Sequence, residues 1–152
     1  MRARRSRIGF AALAVALVAA QAFRIDRTNP PVTGDVAAAP AVAALLRRAC
    51  YDCHSHETVW PWYSMVAPVS WLLARDVREG RRALNFSTWA ACDAKKKSKK
   101  LKETAEVITE GEMPPWYYAL VHPKARLSPA EGEMLRAWTA ERIAQLQSVP
   151  TR

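Results

Sequence analysis

Cys50-Tyr51-Asp52-Cys53-His54 is the stretch on which the reading of this 152-residue chain turns. Two thiols three positions apart can each form a thioether to one of the two vinyl groups of a haem, and the adjoining imidazole reaches the iron from the same side. This is the spacing of a c-type haem attachment site. A helix delivers the pentad: Pro40 suits a first turn, and Val42, Leu45, Leu46 and Ala49 recur behind it at helical spacing. Two other uses of these residues stay open. A redox dithiol of the thioredoxin type sits in a βαβ pattern, which does not surround this one. A zinc ion could draw on Cys50, Cys53, His54 or His56, and Cys92 or His122, although the spacing matches no finger or ribbon.

Working outward, Ser55 to Ser64 is irregular and dense in aromatics, with Trp60, Trp62 and Tyr63 flanking Pro61. Rings of that size need burial, and a flat haem offers apolar surface for them; closing a small core is the plainer use. Val69, Leu72, Leu73 and Val77 mark an amphipathic helix with Pro68 in its first turn and Gly80 as its terminator. Ser87 is a candidate N-cap for a turn through Trp89, and Cys92 stands alone as a small apolar residue. Six lysines crowd Lys95 to Lys102, a solvated run or a docking patch for an acidic partner. Leu101, Ala105 and Ile108 continue as a helix that Gly111 ends.

Gly111-Glu112-Met113-Pro114-Pro115-Trp116 is the second chemical constellation. Two prolines stiffen the backbone after Met113, whose thioether so presented suits the sixth position of a haem iron, with Trp116 beside it to exclude water. His122 and His56 compete for that role. The last helix carries a capping box, Ser128-Pro129-Ala130-Glu131, and an apolar face of Met134, Leu135, Trp138, Ile143 and Leu146 before Val149-Pro150 stops it.

At the other end, Ile8 to Phe23 is an apolar run between Arg7 and Arg24. As a helix it spans roughly 24 Å against about 30 Å of hydrocarbon, which suits a signal peptide or a transmembrane anchor over residues 1–23. The leading arginines then stay inside and the remainder is periplasmic or otherwise extracytoplasmic. Asn29-Pro30-Pro31, Gly34 and Asp35 make residues 24–39 a linker, leaving 40–148 as one domain. Net charge is +9, four units of it from Arg2, Arg4, Arg5 and Arg7, too moderate to imply nucleic-acid binding.

These residues together resemble the bacterial haem-binding domain family with a c-type cytochrome signature, over about Ala43 to Trp138. Cys50, Cys53 and His54 match its attachment motif, Trp60-Pro61-Trp62-Tyr63-Ser64 its aromatic signature, Asn85-Phe86-Ser87 its central motif, and Met113-Pro114-Pro115 its MPP segment. His56 stands where the family has an Asn. The resemblance implies a membrane-anchored or exported haem protein and no defined substrate.

With no strand alternation of useful length, the expected fold is all-α, a cytochrome c-like small helical domain. The expected cofactor is haem c, bound covalently through Cys50 and Cys53, ligated by His54 and Met113, and packed by Trp60, Trp62, Tyr63 and Trp116. One-electron transfer with a redox partner protein is the expected function, with membrane contact through the N-terminal helix where it is uncleaved. A haem enzyme, a gas or redox sensor and a zinc-stabilised module are the rival classes.

Overall fold

Pro40 does open a helix, and the helices that follow it pack around what it delivers. The computed structural model describes residues 2–148. Among them are α1 (Arg2–Ala20), α2 (Pro40–Ala49), α3 (Tyr51–His54), α4 (Val69–Ala83), α5 (Ala94–Thr109), α6 (Trp116–Val121) and α7 (Pro129–Ser148). Short 3-10 turns lie at Trp62–Met65, Trp89–Ala91 and Pro123–Ala125, and no strand forms among the described residues. The fold is therefore all-α.

Helical spacing explains the core. Val42, Leu45, Leu46 and Ala49 line the buried stripe of α2, while Leu135 and Trp138 do so for α7. α5 packs on α7, and α2 lies against both α3 and α7. Leu46, Phe86, Leu101 and Leu135 are fully enclosed between them, each contributing about 1.5–3 kcal/mol of burial. Tyr51 stacks on Phe86 with ring centroids 5.2 Å apart, tying the pentad into this core.

The caps are partly those expected. Ser128 and Glu131 form the capping box of α7, with Ser128 N donating to Glu131 Oε2 at 2.8 Å and Glu131 N to Ser128 Oγ at 3.3 Å. Gly111 takes φ 72° after α5, the left-handed geometry a terminating glycine allows. Asp93 caps the other end of α5 by accepting from Lys96 N at 2.7 Å, so the lysine run lies on a helix surface.

Four expectations need correction. Gly80 does not end α4, which continues to Ala83; a Cβ on Gly80 would lie 2.5 Å from the Cys53 carbonyl oxygen, so the glycine is there to let α4 approach α3. Ser87 is not an N-cap: its Oγ accepts from His56 N at 2.8 Å, holding the loop after the pentad. Met134 is exposed, since α7 turns Leu135 and Trp138 to the core in its place. The segment 24–39 is irregular as expected, yet it docks on the domain. Asn29 Nδ2 donates to Thr58 O at 2.9 Å, Thr33 N and Gly34 N both donate to Ser87 O, and Val36 is buried. Arg81 clamps the same segment, reaching Ser55 O at 2.8 Å and Asn29 Oδ1 at 2.8 Å.

No helix among the described residues is long and apolar enough to cross a membrane. The expected stop of α7 at Val149-Pro150 lies outside the described residues.

Candidate functional site

The pentad folds as a single helical turn, with Cys53 N and His54 N both donating to Cys50 O at 3.2 and 2.9 Å. That turn sets Cys53 and the His54 ring against α4, while Cys50 packs on the core. His54 Nδ1 lies 3.0 Å from Gly80 O and 3.1 Å from Leu84 O. Two carbonyl acceptors place the ring proton on Nδ1 and leave Nε2 with its lone pair, the arrangement a metal-binding imidazole uses. Burial holds His54 below the ordinary imidazole range, the two carbonyls opposing it, so the ring is neutral. Burial also pushes the Cys50 and Cys53 thiols up to about 12, with Asp52 and Asp76 adding to the effect at Cys53. All three cysteines, Cys92 included, are free.

These groups open on a cavity of about 550 Å³, within the usual span for a cofactor site. Cys50, Cys53 and His54 form one wall, and Met113, Pro114 and Pro115 line it too. Leu84, Phe86, Val107, Ile108 and Leu127 make much of the remainder apolar. Met113 owes its place to the end of α5, where Glu112 N and Met113 N both turn back to Val107 O at 3.0 and 3.4 Å. Its thioether therefore belongs to the same cavity as the imidazole.

The expected aromatic pocket is built from other residues. Trp60, Trp62, Tyr63 and Trp116 do not line the cavity; Trp62 and Trp116 are 73% and 77% exposed. Pro115 precedes α6, so Trp116 starts that helix facing out, and rotation of about 100° per residue brings Tyr117 and Tyr118 to the cavity wall, Tyr118 half-buried and Tyr117 still exposed. Tyr117 donates to Asp76 Oδ2 at 3.1 Å and Tyr118 to Asp52 Oδ2 at 2.6 Å. Asp52 Oδ1 also accepts from Val59 N at 2.9 Å, so this one carboxylate orders both the pentad and the loop behind it. Helical spacing after Trp116 is the signal by which the two tyrosines could have been found; nothing local announces Gly80.

The competing imidazoles are spent elsewhere. His122 lies between Tyr63 and Tyr118, with Nε2 3.1 Å from Tyr63 Oη and its ring stacked on Tyr118 at 4.1 Å. His56 bonds through Nδ1 to Pro31 O at 2.9 Å and through Nε2 to the Asn85 amide at 2.7 Å. Neither lines the cavity. Among the described residues no group of three or more His, Cys, Asp or Glu side chains is placed to hold a metal ion by itself.

Six carboxylates line the cavity, Asp52, Asp76, Glu79, Glu103, Glu106 and Glu110, against Lys100. Lys100 Nζ is paired with Glu103 at 2.7 Å. Asp76 sits above the usual carboxylate range because it is partly desolvated, a shift its bond from Tyr117 opposes.

A family model described as a haem-binding domain matches residues 15–141. No curated protein and no solved structure matches the chain.

Proposed function

Because that match covers most of its length, the chain belongs to the haem-binding domain family, and from this premise we propose that it is an exported c-type haem protein carrying single electrons. Haem binding is the family's property; covalent attachment, export and electron transfer are the further reading. What supports it is the sharing of one cavity by Cys50, Cys53, His54 and Met113.

The residues present fit a haem. A neutral imidazole with its Nδ1 proton committed to Gly80 O and Leu84 O has Nε2 free for iron, and two unbridged thiols stand at the spacing of paired vinyl attachment. Bound there, haem supplies a one-electron iron couple. The protein holds the imidazole in one tautomer, offers the Met113 thioether, and keeps water off an apolar wall. Were His54 and Met113 both to hold the iron, no ligand position would remain for substrate, which favours a carrier over an enzyme or gas sensor. The carboxylates lining the cavity would favour the more positive, oxidised state of an iron held there.

The deciding measurement is the visible spectrum of the haem-loaded protein, taken before and after extraction with acidified organic solvent. Wild-type protein is expected to retain its haem and to show a sulfur-to-iron charge-transfer band when oxidised. Cys50→Ser with Cys53→Ser should release the haem, and Met113→Ala should lose the band while His122→Ala keeps it. Release from wild type overturns covalent attachment; a band surviving in Met113→Ala moves the ligand role elsewhere.

A further inference from the structure

A second cavity, of about 300 Å³, opens at the foot of α1, away from the pentad. Gln21, Arg24 and Arg27 line it from the chain leaving α1, and Ser64, Met65 and Ser70 from the domain. The junction is built: Gln21 Oε1 accepts from Ala67 N at 3.0 Å while its Nε2 donates to Ala67 O at 3.1 Å. Trp71 Nε1 adds a bond to Phe23 O at 3.1 Å.

Two observations mark this cavity as a receptor. Ser64 is 1% exposed, yet its Oγ has no hydrogen-bond partner among the described residues, a state buried hydroxyls rarely keep. Arg24 and Arg27 enter no ion pair among the described residues, while Asp26 between them accepts from Thr28 N at 2.8 Å and does not line the cavity. Two guanidinium groups and an unspent hydroxyl match an anion with several acceptor oxygens, which is what a phosphate group presents.

The surroundings distinguish a lipid from a dissolved anion. Phe23, Met65, Val66, Val69 and Leu72 are all exposed around the same junction, and α1 leads to it with Leu13, Leu17 and Val18 also exposed. A free phosphate has no use for an apolar border, whereas a phospholipid lays its chains along one while its headgroup stays at the polar pocket. We propose that this cavity takes the phosphate of an anionic phospholipid headgroup, and that the face carrying Phe23, Met65 and Val69 rests on the bilayer surface. The site is independent of the haem cavity and of what that cavity binds.

Vesicle co-sedimentation of the 152-residue chain at physiological salt tests this. Wild type is expected to partition into phosphatidylglycerol vesicles well ahead of phosphatidylcholine vesicles. Arg24→Gln with Arg27→Gln should weaken that partition about 20-fold, and Arg24→Lys with Arg27→Lys should restore most of it. Ser64→Ala should weaken it by about fivefold with an unchanged thermal melt. The control is Arg78→Gln with Arg82→Gln, exposed residues more than about 12 Å further along α4 and beyond the screening length, whose loss should cost less than about threefold. Equal partition into both vesicle types, equal losses in the two arginine pairs, or no effect of Ser64→Ala overturns the proposal. So does calorimetric binding of inorganic phosphate that competes fully with the vesicles, since that outcome assigns the cavity to a free anion.

Discussion

The contact between α3 and α4 and the aromatic turn around Trp62 carry comparably dense sequence signals, and they end in opposite environments. In the first, each group has a partner: His54 has two carbonyls, Cys53 meets a glycine, and Tyr51 stacks on Phe86. In the second, Trp62 and Trp116 stand largely in solvent. The difference lies in where distant elements close. The pentad keeps its own groups together in one helical turn, and α4 and Phe86, far along the chain, close over them; Trp62 and Trp116 lie outside that closure.

The widest test of that contrast is Phe86→Ala. Phe86 is 1% exposed and stacked on Tyr51, so its loss should cost about 3–5 kcal/mol in urea unfolding. A loss under about 1 kcal/mol would erase the distinction between the two regions.

Gly80→Ala probes the contact more finely. Alanine gains about 1 kcal/mol of helix propensity over glycine, but the new Cβ would meet the Cys53 carbonyl oxygen at 2.5 Å and the Cys53 Cβ at 3.1 Å. Backbone cannot step aside as a flexible side chain does, so overpacking wins, with a net destabilisation of about 1–3 kcal/mol and poorer haem loading. A stabilised variant would show that α4 can shift away from α3 without harm.

The smallest effect belongs to the exposed rings. Trp62→Ala and Trp116→Ala should each leave stability within about 0.5 kcal/mol of wild type by the same urea titration. A cost approaching that of Phe86→Ala would mean that these rings are covered after all.

Much of the frame was legible. The spacing of Val42, Leu45, Leu46 and Ala49 predicted α2 to its ends, and the capping box predicted the start of α7, because both are local statements about a helix. Gly80 was misread because a glycine near the end of an apolar pattern serves equally as a stop or as room for a neighbour, and α3 decides which. Met134 was misplaced for a related reason: a broad apolar stripe leaves the packing angle to choose which residues face in.

The sequence by itself determined the helical class, the pentad with its nearby thiols and imidazole, and the glycine that ends α5 ahead of Met113, since each depends on residues a few positions apart. Tertiary structure alone decided the rest. It brought Met113 to the cavity of His54, chose Tyr117 and Tyr118 over the tryptophans as its aromatic wall, and spent His56 and His122 on other bonds. Those choices depend on how α4, α5 and α6 close over α3, and that closure follows from the summed burial of residues far apart in the chain.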